Sequence, residues 1–60
     1  MLGNLPNDAM LCLSVVNTKL RDQYANLDAL CEDLQVDKEA LVQKLHGIDY
    51  EYDLSRNQFV

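Results

Sequence analysis

The stretch Leu27–Gly47, LDALCEDLQVDKEALVQKLHG, decides the fold. Leu27, Leu30, Cys31 and Leu34 recur at i, i+3, i+4 and i+7, a spacing that lays apolar side chains along one face of a helix. Asn26 stands before them as an N-cap, and Asp28 falls in the first turn, where the positive end of the helix dipole favours an acid. The run predicts helix 2 over about 27–34, with Glu32 and Asp33 facing water. Gln35-Val36-Asp37 reads as a tight connection in which Asp37 caps the next helix. Helix 3 is predicted over about 38–46, with Leu41 and Leu45 inward and Ala40 or Val42 beside them. Gly47 is expected to close it, because glycine enters the left-handed conformation without a side-chain clash. Two short capped helices joined by so tight a turn form a helix-turn-helix.

Upstream, Pro6 is a start signal: its missing N–H has no partner at a helix entrance, and Asn7 or Asp8 can cap the amides that follow. Helix 1 is predicted over about 8–24, its inward face made by Ala9, Cys12, Leu13, Val16, Leu20 and Tyr24, with Ser14, Asn17 and Arg21 outside that arc. Downstream of Gly47 the period changes to 2. Ile48, Tyr50 and Tyr52 alternate with Asp49, Glu51 and Asp53, as in a half-buried strand. Leu54-Ser55-Arg56-Asn57 reads as a turn and Gln58-Phe59-Val60 as a returning strand. A hairpin over about 48–60 is marginal alone, so it must lie against the helices, with Phe59 as its anchor. The expected architecture is a single mostly α domain over residues 1–60: a three-helix helix-turn-helix bundle followed by a short C-terminal β-hairpin, the order of a minimal winged helix.

A chain of 60 residues buries only about 60% of the surface it exposes unfolded, so modest stability is expected. Cys12 and Cys31 fall among leucines and valines at helical spacing and no secretory signal precedes them, which predicts reduced, buried thiols in a cytoplasmic protein. No apolar run approaches the roughly 18 residues that span a bilayer, so no membrane role is expected. Ten acids against five bases give a net charge of -5. Phosphate contacts supply most non-specific nucleic-acid affinity, and the bases Lys19, Arg21, Lys38, Lys44 and Arg56 are dispersed among acids. The charge therefore disfavours DNA and suits solubility or a basic protein partner.

The segments Leu5-Pro6-Asn7-Asp8, Ser14-Val15-Val16-Asn17-Thr18-Lys19-Leu20-Arg21-Asp22, Leu27-Asp28-Ala29-Leu30-Cys31-Glu32-Asp33-Leu34 and Tyr50-Glu51-Tyr52-Asp53 together carry a likeness. The chain resembles a family of small bacterial proteins catalogued as domain of unknown function four-two-five-zero, over nearly its whole length from Leu5 onward. The resemblance implies a bacterial cytosolic protein and carries over no activity, cofactor or catalytic residue. A proline often follows the Asn-Asp pair in such sequences; Ala9 stands there in this chain, which bears on the helix start.

Helix 1 holds the strongest candidate site. After its core face is assigned, Met10, Leu11 and Val15 remain apolar in directions a three-helix core cannot all cover, and Leu11 with Val15 forms an i, i+4 pair. Surplus apolar surface in so small a domain points to a partner, most simply a second copy in a homodimer. The competing expectation is that the arm Met1–Leu5 or the C-terminal strand folds across that flank.

The alternative function is a small DNA-binding transcriptional regulator. Helix 3 would then enter the major groove, with Gln43 reading adenine, Lys38 holding phosphate and His46 nearby, although Glu39 opposes them. Cys12, Cys31 and His46 lack the close ligand pairs of a structural zinc site and the activating base of a thiol enzyme. The series Asp49, Glu51, Asp53, Ser55, Asn57 imitates a calcium loop. It has Leu54 where glycine is needed and Val60 where the bidentate glutamate belongs. Tyr50 and Tyr52 read as core and strand-pair residues rather than a base-stacking platform. The chain is expected to be non-enzymatic, with no cofactor and no small-molecule substrate.

Overall fold

The computed structural model describes residues 5–60. Its elements run α1 (Ala9–Asp22), α2 (Leu27–Leu34), α3 (Lys38–His46), β1 (Tyr52–Asp53) and β2 (Gln58–Phe59). Three helices are followed by an antiparallel two-stranded hairpin, as the sequence predicts.

Each helix begins where an acid or amide can accept its first free amides. Asp8 Oδ1 accepts from Met10 N–H at 2.9 Å and Leu11 N–H at 3.1 Å. Asn26 Oδ1 accepts from Ala29 N–H at 2.8 Å, and Asp37 Oδ1 accepts from Glu39 N–H at 3.0 Å and Ala40 N–H at 3.3 Å. These contacts satisfy donors that have no partner within the helix.

α2 and α3 end where the sequence puts them, but the end of α1 and the way α3 is closed differ from the expectations. α1 stops at Asp22 rather than Tyr24: the Gln23 and Tyr24 amides both turn back to Lys19 O, at 2.7 and 3.1 Å. α2 closes through Gln35, held in the left-handed region at φ 55°, with Val36 N–H bonded to Cys31 O at 2.8 Å. This closure drops Val36 into the core, the apolar contact that commonly accompanies such an end. Gly47 does not supply the left-handed residue after α3. It keeps right-handed angles (φ -61°, ψ -19°), and the chain reverses two residues later at Asp49, φ 67°. Asp49 N–H then bonds His46 O at 2.9 Å and Tyr50 N–H bonds Leu45 O at 3.0 Å. Aspartate reaches that region more readily than most residues, so it closes the helix in place of glycine.

The hairpin is shorter than the predicted 48–60 span because this reversal consumes Ile48 and Asp49. Tyr52 pairs with Phe59 and Asp53 with Gln58, and Glu51 and Val60 exchange two further backbone hydrogen bonds at 3.0 and 2.9 Å. The inward alternation extends beyond the strand: Ile48 and Tyr50, like Tyr52 of β1, pack half-buried against the core.

α1 packs against α2, α3 and β2, and α2 against α3. The core is Leu5, Cys12, Leu13, Val16, Leu20, Leu27, Leu30, Cys31, Val36, Leu41, Leu45 and Phe59. Phe59 is buried as the hairpin's anchor, its ring tilted 56° to that of Tyr52 with centroids 5.5 Å apart. Since the helices meet on one side of α1 and β2 on an adjacent side, the opposite side of α1 faces solvent.

Candidate functional site

Met10 and Leu11 lie on that outer side, 55% and 60% exposed. The inward residues Cys12, Leu13, Val16 and Leu20 fix the rotation of α1, and Asp8 fixes its start, so Met10 and Leu11 cannot turn into the core. Val15 is placed differently: it is half-buried and packs against the core, so the predicted Leu11/Val15 pair is split between solvent and interior. The exposed apolar pair is Met10 with Leu11.

β2 does not cover them. It is seated further along α1 by Asn17, whose Nδ2 donates to Phe59 O at 3.1 Å while its Oδ1 accepts from Phe59 N–H at 2.8 Å. Between Met10 on α1 and Tyr50 and Gln58 on the C-terminal segment this leaves an open groove of about 410 Å³. Leu5 is buried in the core rather than laid over Leu11, and the rest of the predicted arm, Met1–Asn4, lies outside the described residues.

The family model for Domain of unknown function (DUF4250) matches residues 6–59. The chain belongs to the DUF4250 family. Comparison with curated proteins and with solved structures finds no significant match. The DUF4250 match runs from Pro6 through Phe59, so it takes in every element from α1 to β2.

Within this DUF4250 domain the α3 candidates do not act as one group. Lys38 is drawn toward α2, its Nζ 2.7 Å from Asp28, and that hydrogen bond and charge raise the lysine pKa. Gln43 and His46 are exposed further along α3, with Glu39 exposed beside Lys38. Arg56, the only base of the hairpin, approaches Asp53 at 3.8 Å. Each thiol is free and buried, and burial pushes both Cys12 and Cys31 above the ordinary cysteine range. Neither has the depressed pKa that makes a thiol nucleophilic. Among the described residues no three His, Cys, Asp or Glu side chains gather as metal ligands do.

Sequence reasoning missed a polar network under the hairpin. Asn57 Nδ2 donates to Leu20 O and Tyr24 O, both at 3.0 Å, taking carbonyls left free at the end of α1. Its Oδ1 accepts from the Tyr52 hydroxyl, which itself accepts from Leu27 N–H at 3.2 Å. Asn57 and Tyr52 thus tie the hairpin to the end of α1 and the start of α2. The available signal was Asn17 in mid-helix and Asn57 in a turn, since asparagine side chains seek backbone partners.

Proposed function

We infer that this chain is a small, non-enzymatic, bacterial cytoplasmic protein-interaction module, and that it docks a protein, its own copy or another, through the outer face of α1. The observation that carries this reading is the exposure of Met10 and Leu11 side by side on the first turn of a helix whose other apolar residues are packed. A leucine side chain moved from water into an interface contributes about 1.5–3 kcal/mol, so a partner gains where the domain's own core cannot reach. The other markedly exposed apolar residues, Leu54 in the hairpin turn and Val60, stand singly, as such residues often do. Free, buried thiols suit the reducing cytoplasm.

Light scattering over a concentration series, with Leu11→Lys as comparison, tests the reading. Association or partner retention that the lysine variant loses is expected. A wild-type chain that stays monomeric, retains no protein and behaves as Leu11→Lys does would overturn it.

A second reading, a DNA-binding regulator using Lys38, Gln43 and His46, draws support from the exposure of Gln43 and His46 on α3. Its support is weaker, because Lys38 is engaged with Asp28 and the net charge is -5. A salt-titrated binding assay with Gln43→Ala and Lys38→Ala decides it: binding indifferent to both changes rules out this reading helix.

A further inference from the structure

The exposed side chains of α1 between Met10 and Thr18 are Met10, Leu11, Ser14 and Thr18, and none is charged. With its cap, α1 holds Asp8 and Asp22 against Lys19 and Arg21, so it is neutral; the whole net charge of -5 resides on the rest of the chain. This distribution separates two kinds of occupant. A basic partner is drawn to the acids of α2 and the loops. Two copies of this acidic chain repel across most of their surfaces; α3 with its cap Asp37 is also neutral but exposes Lys38 and Glu39, whereas the outer face of α1 offers an uncharged stretch along which two copies can approach.

We propose that a second copy of the chain docks on the outer face of α1, with the two α1 helices antiparallel about a two-fold axis beside Ser14. The proposal rests on the reading of α1 as an interaction surface and names its occupant. The antiparallel sense follows from the ends of the helix. It brings the Asp8 end of each copy beside the turn of the other that carries Lys19, where Arg21 is already paired with Asp22, whereas a parallel pair stacks Asp8 on Asp8. It also opposes the two helix dipoles favourably. Each Leu11 then lies against the partner's Thr18, and the small Ser14 at the centre lets the helices close to about 8–10 Å.

Cysteine crosslinking of the full chain tests both occupant and direction. The native thiols are buried and the chosen positions exposed, so the fold is retained and the new thiols react. Ser14→Cys is expected to form an inter-chain disulfide under mild oxidation. A mixture of Leu11→Cys with Thr18→Cys is expected to crosslink, while Leu11→Cys alone is not. In the antiparallel pair its two copies lie about 10 Å apart along the axis, beyond disulfide reach. Absence of any Ser14→Cys disulfide at high protein concentration overturns the proposal, as does crosslinking of Leu11→Cys alone as readily as the mixture. A chain that stays monomeric yet loses a different protein on Leu11→Lys overturns the second copy while leaving the interaction reading intact.

Discussion

Asn17 turns its carboxamide to the outer edge of β2 and satisfies both the N–H and the C=O of Phe59. Without it, a part-buried donor and acceptor lose their partners, and the loss is about 1–3 kcal/mol. Urea denaturation of Asn17→Ala should report a midpoint lowered to match; an unchanged midpoint would mean that buried Phe59 and the Asn57 and Tyr52 contacts hold the hairpin without it. Gln35 presents the opposite case. It stands in the left-handed region at φ 55°, where a side chain is strained and glycine is not. Gln35→Gly is expected to raise stability by up to about 1 kcal/mol, read as a higher melting temperature. Neither site was legible at the residue scale. Asn17 lies outside the apolar arc, Gln35 falls in a connection whose backbone conformation the apolar spacing does not set, and the left-handed conformation expected at Gly47 belongs to Asp49. A glycine permits positive φ without requiring it; the chain reverses at Asp49, where the Tyr50 N–H bonds back to Leu45 O.

At the scale of elements, α2 and α3 were legible to their bounds because caps and apolar stripes agree: Asn26 and Asp37 mark the starts, and Leu27/Leu30/Cys31 and Leu41/Leu45 the faces. The end of α1 was not, since Tyr24 keeps helical spacing but is pulled away, its hydroxyl bonded to Asp33 and its carbonyl to Asn57. The strands are shorter than the alternation predicts because alternation reports which side chains point inward, not whether the backbone is paired. The hairpin turn yields a pH prediction. Asp53 accepts from the Ser55 hydroxyl and the Ser55 and Arg56 amides, and these contacts, led by the hydroxyl, hold its carboxyl below the ordinary aspartate range. A carboxyl whose folded pKa is lowered contributes at neutral pH, and the contribution is lost as pH falls through that lowered value. The Ser55 and Arg56 amide resonances should therefore move together on acidification below the usual carboxylate range. Asp53→Asn should abolish the movement; its persistence would place the titration elsewhere.

For the molecule as a whole, one core serves all five elements, and a domain this small has little stability to spare. Leu41, fully buried at its centre, should lose about 2–5 kcal/mol on truncation to alanine, enough to abolish cooperative thermal unfolding. The candidate surface was legible because the same periodicity that assigns Cys12, Leu13, Val16 and Leu20 to that core leaves Met10 and Leu11 outside it. Val15 departs from the expected flank because an apolar residue at the rim of the arc can still pack, half-buried, against the core. Charge then distinguishes the possible partners by the sign of a salt effect. If copies meet along neutral α1, their acidic remainders repel through solvent, and salt screens that repulsion over a Debye length of about 10 Å at 0.1 M. Self-association should therefore strengthen between low and moderate salt, shifting the midpoint of a dilution series to lower protein concentration. Nucleic acid, or a basic protein held by the acids of α2 and the loops, would show the reverse, since each ion pair is weakened by the same screening. Sedimentation at two salt concentrations reads the sign directly, and association that weakens with salt would show that attraction between charged groups, not relief of the repulsion between acidic remainders, governs the contact.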